Sequence, residues 1–348
     1  MIKNTIFDLH FYKVTMNKFD DQATKALLDR NLITENQYQE ISSYRNLNIF
    51  SLNAELKFFL YLSVLLFTSG IGILIYENID SIGHIAILSL LLIVIVVCFY
   101  YCFKNAKGFQ KSETTFEHPV LEYLVLLANI LTCIFIGYLQ FQYKPFGTHY
   151  GLATLIPTVV SFFCAYYFDN KSVLTIAITG LAAYVGLSVT PQDLLNNTNF
   201  YADPTLSYSA IILGVLLILW TVYSTRIQLK THFTIIYLTF ALHIISIASI
   251  NSLVDYYSEG IWLIFAFILA GSSYYFYKVS HNLKAISLYV FMIVYAYIGF
   301  NIFLFRVFEH IDFSEIWELF ILILPVYFIG SIVVFIKLIK NFNKEIAK

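Results

Sequence analysis

Polar side chains that could carry chemistry are sparse in this sequence, and the most regular set recurs within one apolar run. In HPVLEYLVLLANILTCIFIGYLQF, three polar residues follow the first at offsets of 7, 11 and 18 positions: Glu122, then Asn129, Cys133 and Gln140. At about 100° per residue, these offsets place the other three side chains within roughly 20° of Glu122 around a helix. The spacing predicts a helix with one continuous polar stripe.

Two interpretations of such a stripe are possible, and the spacing does not distinguish between them. A polar face is costly against lipid, so the stripe must face protein or a water-filled cavity. It either joins neighbouring helices by hydrogen bonds or lines a path for a small solute. Both readings stay open at the level of sequence.

A second candidate is the acidic break in GIGILIYENIDSIGHIAIL, where Glu77, Asn78 and Asp80 interrupt an apolar run. Two carboxylates so close together could act as an acid pair if they were held inside the membrane or perturbed by their surroundings. A short turn in water explains them without catalysis, and this is the interpretation we favour.

His243 is the single histidine in the middle of an apolar run, within FALHIISIASI. An imidazole can relay protons near neutral pH. Bonding to a neighbouring helix is the commoner role for one imidazole at this depth. We therefore expect His243 to be a buried polar residue with a partner.

Acids accumulate in the connections on one predicted side of the chain. Such a surface could concentrate cations or bind a divalent metal. No ligand spacing supports a metal site there, and exclusion of bases from that side explains the same pattern. The acids are Glu77, Asp80, Asp193, Asp203, Asp255, Glu259, Glu309, Asp312, Glu315 and Glu318.

Motifs of known catalytic or cofactor chemistry do not occur in the sequence. It contains no P-loop, G-x-S-x-G, H-E-x-x-H or C-x-x-C pattern. All four cysteines lie inside apolar runs, where they serve as small packing residues. We predict no cofactor, no metal and no catalytic residue, and we lean away from an enzyme.

Composition places these residues in a bilayer. The chain has 348 residues, of which 59% are hydrophobic and 12% charged, with a mean hydropathy of +0.73. Soluble domains carry roughly a quarter charged residues. About 20 apolar residues cross the hydrocarbon as a helix, and ten such runs can be identified. They lie near 58–76, 83–103, 119–141, 149–168, 172–189, 207–225, 232–250, 260–277, 284–305 and 316–337.

The basic residues predict the orientation of these spans. Of 21 lysines and arginines, all but Lys144 and Arg306 fall in the termini and the even-numbered connections. Cytoplasmic loops retain the excess of basic residues. Both termini are therefore predicted to be cytoplasmic, and one span more or fewer would destroy the asymmetry.

Residues 1–57 are predicted to form a separate cytosolic helical hairpin and linker ahead of the transmembrane domain, 58–348. DQATKALLDRN reads as one helix, and LITENQYQEISSYRN reads as a second. Thr34 and Gln37 have the spacing of a capping box, which satisfies free backbone donors at a helix start. The charges of this segment nearly cancel, which argues against a nucleic-acid partner.

The hairpin and first span resemble a family of predicted bacterial membrane proteins, domain of unknown function 2157. The residues that carry the likeness are ALLDRNLITENQYQEISSY and LLFTSGIGILIYENIDSIG. Asn78 and Asp80 match an Asn-Trp-Asp-like turn of the family, with Ile79 in the place of the usual Trp. The resemblance implies the bacterial inner membrane and brings no activity or catalytic residues.

The sequence thus predicts an all-α, polytopic integral membrane helix bundle of about ten helices. Its function stays open among three classes. We favour a non-enzymatic membrane component that acts with a membrane or envelope protein partner. The alternatives are a transporter or channel for a small solute, with the third span lining the path, and a membrane-embedded enzyme.

Overall fold

Apolar runs of this length fold as helices because hydrocarbon offers no hydrogen bonds to the backbone, so each segment must satisfy its own. In the computed structural model the described residues form helices, one short 3-10 turn and their connections, without a strand. The structure describes residues 25, 27–29, 33–46, 52–77, 83–114, 116, 119–147, 149–189, 204–255, 260–310 and 317–346.

The chain divides into two compact units, Met1–Tyr61 and Leu62–Lys348. In the first, helix α1 spans Glu35–Asn46. The predicted capping box is confirmed, since the backbone N–H of Thr34 donates to Oε1 of Gln37 at 2.9 Å and the N–H of Gln37 donates to Oγ1 of Thr34 at 3.3 Å. The domain boundary after residue 57 stays a prediction.

Ten longer helices follow α1, and their order matches the order of the predicted apolar runs. They are α2 Leu52–Glu77, α3 His84–Lys104, α4 Pro119–Tyr143, α5 Tyr150–Phe168, α6 Lys171–Val189, α7 Pro204–Arg226, α8 Thr234–Asp255, α9 Trp262–Asn282, α10 Ile286–His310 and α11 Trp317–Ile346. A 3-10 turn, Thr231–Phe233, leads into α8.

Within the described residues, nine of these helices are long and apolar enough to cross a membrane, and α2 adds the shorter apolar segment Phe58–Leu74. The predicted all-α bundle of about ten spans is confirmed. Helix α2 begins ahead of its predicted run and α11 continues beyond its own to Ile346. Helical hydrogen bonding can continue past the hydrocarbon, where hydropathy alone no longer marks the helix.

Contacts between distant connections show that the helices alternate in direction. Asp169, between α5 and α6, contacts Thr114 of the α3–α4 connection and Lys230 of the α7–α8 connection. After α9, Nζ of Lys284 donates to the carbonyl of Ile346. We call the end of the bundle that holds these connections the basic end, because most of the lysines and arginines lie there.

Contacts at the opposite end of the bundle support the same alternation. His84 at the start of α3 bonds the Tyr138 hydroxyl of α4 at 2.7 Å. The guanidinium of Arg306, near the end of α10, donates to the carbonyls of Leu253 and Val254 in the last turn of α8. Arg306 therefore caps the carboxyl end of a neighbouring helix.

The interior of the bundle is centred on α4, α5, α6 and α8. Buried apolar side chains from these helices form one cluster that includes Val125, Ala165, Leu174, Ile178 and Leu242. Many large apolar side chains are exposed on the outside of the bundle, including Phe267 of α9 at 76% and Val326 of α11 at 70%. An outer surface of this composition is suited to lipid rather than water.

Candidate functional site

The predicted polar stripe lies on α4, inside the bundle, and its centre is Asn129. This side chain is 1% exposed, and its Nδ2 donates to the Ser161 hydroxyl of α5 at 3.0 Å. The same hydroxyl donates to the carbonyl of Pro157 at 2.7 Å. Asn129 therefore joins α4 to α5.

Gln140 is also buried, but it serves the chain that follows α4. Its Nε2 donates to the carbonyl of Gly147 at 2.9 Å, and the backbone N–H of Phe146 donates to its Oε1 at 3.1 Å. Both ends of the amide are thus used in fixing the turn between α4 and α5. Gln140 therefore closes a local turn.

The remaining stripe residues are only half-buried. Cys133 interacts with Ser161, the hydroxyl that Asn129 also contacts. Glu122 accepts, through its backbone carbonyl, a hydrogen bond of 2.8 Å from Nδ2 of Asn170. Cys133 lies one turn from Asn129 and is half-buried. Two cavities among the described residues are lined by other helices. The described hydrogen bonds of Asn129 and Gln140 are made with protein atoms.

His243 lies on α8 and has a partner on α10. Its Nδ1 lies 2.8 Å from the Tyr295 hydroxyl, and its ring contacts Phe291 with centroids 4.7 Å apart. His243 is half-buried, and its role as a buried polar residue stays a prediction.

Of the ten acids predicted for the opposite end, Glu77 is the one whose side chain the structure describes. Glu77 is exposed at the end of α2, which agrees with a solvated turn. Asn78 and Asp80, the family-like turn, lie outside the described residues. Among the residues described, no group of three or more His, Cys, Asp or Glu side chains is placed to hold a metal ion.

A buried charged group at the basic end escaped the sequence analysis. Asp169 and Lys230 have fully buried side chains, and Nζ of Lys230 lies 3.1 Å from Oδ2 of Asp169. Nε2 of His232 lies 2.5 Å from Oδ1 of the same carboxylate. The backbone N–H of Thr114 donates to Oδ2 at 2.5 Å. We call these four residues the Asp169 cluster.

The local backbone explains how two charged loop residues come to face inward. Asp169 follows the last residue of α5 with φ of 58°, and its N–H bonds the carbonyl of Ala165. Lys230 precedes the 3-10 turn with φ of 47°. Residues in this left-handed conformation occur at helix ends and in turns. Both side chains are fully buried.

The cluster also holds the α3–α4 connection, which lies across it. The backbone N–H of Lys230 donates to the carbonyl of Lys111 at 2.8 Å, and Nζ of Lys230 donates to that of Ser112 at 3.3 Å. Nζ lies 5.8 Å above the ring of Phe109, within range of a cation–π contact. Three connections are thus joined through one carboxylate.

Chemically, the cluster is arranged to compensate charge. Thr114 and Lys230 contact one oxygen of Asp169, and His232 contacts the other. A nearby pair, Lys171 and Glu113, has the same charges at 2.7 Å but is 54% exposed on both sides. The hydrogen bond from Lys171 lowers the pKa of Glu113.

The sequence contained a weak signal for this cluster. The segment FDNKS contains Asp169 in a very short connection between two apolar helices. In so short a connection, the acidic side chain must stay close to the ends of both helices. By its position in the sequence, Lys230 looks like any other basic residue of a cytoplasmic loop. Nothing in the spacing linked it to Asp169, because the two residues belong to different hairpins.

Comparison with known proteins bears on the first half of the chain. Residues 25–174 match the family model described as predicted membrane protein (DUF2157). The predicted resemblance is confirmed. The match runs beyond the region that carried the resemblance in the sequence, since it continues through α5 into α6. No curated protein and no solved structure matches the chain.

The DUF2157 match divides the Asp169 cluster. Thr114 and Asp169 lie within the matched residues, whereas Lys230 and His232 lie beyond them. The family description identifies a membrane protein and states no activity. What the protein does must therefore be inferred from its own side chains.

Proposed function

We propose that this protein is a non-enzymatic, multi-pass component of the bacterial inner membrane that acts with a protein partner. The proposal includes cytoplasmic termini and a basic end that faces the cytoplasm, where the partner docks. The observation that carries it is the Asp169 cluster, which unites three connections into a single ordered surface.

Order in these connections favours docking. The segment 105–114 is held by the bonds of Lys230 to Lys111 and Ser112, and by those of Asp169 to Thr114. A loop that is already fixed loses less conformational freedom on binding than a free one. A buried ion pair adds little net stability compared with apolar packing. Its presence here therefore agrees with a role in fixing the positions of the three connections.

The charge of this surface indicates the chemistry of the partner. Lys104, Lys107, Lys111 and Lys171 are all exposed on the connections that the cluster joins. Complementary charge steers association and fixes the orientation of two partners. The partner we propose is a protein with an acidic surface.

The experiment is site-specific photo-crosslinking in native membranes, with a photoreactive residue at position 107. We expect one discrete adduct that weakens as salt is raised, because exposed charges are screened. We expect Asp169→Asn to reduce the adduct, because that change removes the charge that orders the loop, while the protein remains in the membrane.

Position 278 supplies the matched control. Lys278 is exposed at the same end of the bundle on α9, away from the Asp169 cluster. An adduct of equal strength at both positions, unchanged by Asp169→Asn, would contradict docking on the ordered loop. So would the absence of any adduct at position 107.

A small-solute path along α4 is the second candidate, because Oδ1 of Asn129 is buried without a hydrogen-bond donor among the described residues. The test is thiol labelling in intact membranes after Cys98, Cys102 and Cys164 are replaced by alanine. Cys133 and a cysteine at 129 should resist small polar reagents under our proposal, because a reactive thiolate forms only where water reaches it.

Two positions calibrate that labelling experiment. A cysteine at 107 is exposed and should react, whereas one at 131, where Leu131 is fully buried, should not. Reaction at 129 and 133 with 131 inert would favour the solute path over the docking role. An enzymatic function has weaker support, since the carboxylate of the Asp169–His232 pair is fully engaged.

A further inference from the structure

A large cavity lies between α5, α6 and α7, and its lining changes character along its length. Its volume is about 950 Å³. Leu213, Leu217 and Tyr237 are buried within it, whereas Phe163, Leu216 and Leu219 are more than half exposed at its rim. The cavity is therefore an apolar groove that opens on the outside of the bundle, where lipid lies.

One end of the groove carries a hydrogen-bonded group of aromatic residues. Nε1 of Trp220 donates to the Tyr166 hydroxyl at 2.9 Å, and that hydroxyl lies 2.9 Å from the hydroxyl of Tyr237. All three residues line the groove. They lie toward the basic end, because Tyr166 is in the last turn of α5 and Tyr237 is in the first turn of α8.

One hydroxyl proton in this aromatic group has no hydrogen-bond acceptor within the group. The indole N–H is used on Tyr166, and only one of the two hydroxyls can donate in the bond between them. The other hydroxyl proton has no acceptor among the described residues. An unpaired donor in apolar surroundings carries an energetic penalty. Because both tyrosines line the groove, an acceptor in the groove would complete the network.

A cation lies one turn beyond the groove. Arg226 is exposed in the last turn of α7, three residues after Tyr223, which lines the groove. Residues three apart share a helix face. From Leu213 to Arg226 the helix rises about 20 Å. Along this line the groove presents an apolar stretch, then a hydroxyl donor, then a positive charge.

We infer that the groove is a binding site for one anionic glycerophospholipid. Its acyl chain fills the apolar part, an ester carbonyl accepts the spare hydroxyl proton of the Tyr166–Tyr237 pair, and its phosphate lies against Arg226. A glycerophospholipid carries these three groups in the same order as the groove. The inference is independent of the proposed protein partner.

Fluorescence quenching of Trp220 tests the site in the full-length protein. The protein is placed in phosphatidylcholine nanodiscs to which phosphatidylglycerol with brominated acyl chains is added in increasing mole fraction. We expect a component of the quenching to saturate at low mole fraction and to be lost in Trp220→Phe, which retains Trp262 and Trp317. Brominated phosphatidylcholine should need about fivefold more lipid, since one basic residue contributes about 1 kcal/mol toward an anionic lipid.

Two variants separate the contributions of charge and hydrogen bonding. Arg226→Gln should abolish the roughly fivefold preference and leave residual binding of both lipids. Replacing Tyr166 and Tyr237 together by phenylalanine should weaken the binding of both lipids about fivefold, which corresponds to the loss of one hydrogen bond. Lys278→Gln and Tyr274→Phe, which alter an exposed cation–aromatic pair on α9, are the matched controls and should change nothing.

Three outcomes would overturn the inference. Quenching that rises in proportion to mole fraction, equally for both lipids, would show ordinary annular lipid without a site. If saturable quenching by the anionic lipid were the same in Arg226→Gln as in the unchanged protein, the phosphate contact would be excluded. Quenching by an isoprenoid quinone at low mole fraction, without any preference for the anionic lipid, would assign the groove to a carbonyl ligand that lacks a phosphate.

Discussion

At the scale of single residues, burial separates side chains that look alike in the sequence. Lys171 and Lys230 both follow apolar helices, and each pairs with an acid at about 3 Å. The first pair is exposed and lies in water, whereas Lys230 and Asp169 are fully buried. The cost of removing one partner differs between the two environments, because a charge left alone cannot regain its hydration when it is buried.

Lys230→Met should therefore destabilise the protein by about 3 to 5 kcal/mol, because it leaves Asp169 buried without its main counter-charge. Asp169→Asn combined with Lys230→Met should cost less than the sum of the two single changes, since the double variant leaves no uncompensated charge. Thermal unfolding in detergent measures all three.

Lys171→Met is the matched control for this cycle. Removal of an exposed partner of Glu113 should change stability by about 1 kcal/mol or less. If Lys230→Met were as mild as Lys171→Met, the Asp169 cluster would not be the element that orders the basic end.

At the scale of elements, small residues set how closely the helices approach. A Cβ added at Gly180 of α6 would overlap Oγ1 of Thr158 on α5. Thr158 is buried, and its hydroxyl donates to the carbonyl of Thr154 at 2.7 Å, so it cannot move without losing that bond. The α5–α6 hairpin, which also presents Asp169, depends on this close contact.

Gly180→Ala should destabilise the bundle by about 1 to 3 kcal/mol, the usual cost of overfilling a packed interior. Thermal unfolding in detergent is again the measurement. Gly137→Ala on α4, where an added Cβ meets no atom within 4 Å, is the control. It should be neutral or slightly stabilising, since alanine favours helix. Equal losses in both variants would show that Gly180 has no special packing role.

At the scale of the whole molecule, the alternation of helix direction brings the basic connections to one end. The contacts of Asp169 and of Lys284 establish which connections lie together. They are compatible with either orientation in the membrane. The charge distribution alone supports the proposal that this end is cytoplasmic.

Reporter fusions after Lys111, Lys230 and Lys284 should all report the cytoplasm, whereas fusions near Asn197 and Ser258 should report the outside. The physical reason is the retention of basic loops on the cytoplasmic side. A reversed signal at every site would invert the molecule and keep the fold. A reversal at one site alone would break the ten-span topology.

The sequence by itself predicted the membrane environment, the approximate number of spans and the Thr34–Gln37 cap. Continuous apolar runs are a local property, and hydrocarbon permits few structures for them. The Thr34–Gln37 capping box is likewise local, because its partners are three residues apart. The periodicity of α4 showed that its polar residues share one face, which is a property of a single helix.

Only the tertiary structure decided which residues contact the polar face of α4. Asn129 bonds a serine on α5, while Gln140 turns to its own loop, so a stripe that is regular in sequence has no single role. The Asp169 cluster and the Tyr166–Tyr237 pair join residues 63 and 71 positions apart. Such contacts depend on which helices become neighbours and how they rotate. Apolar periodicity does not specify either, because lipid and protein interiors accept the same side chains.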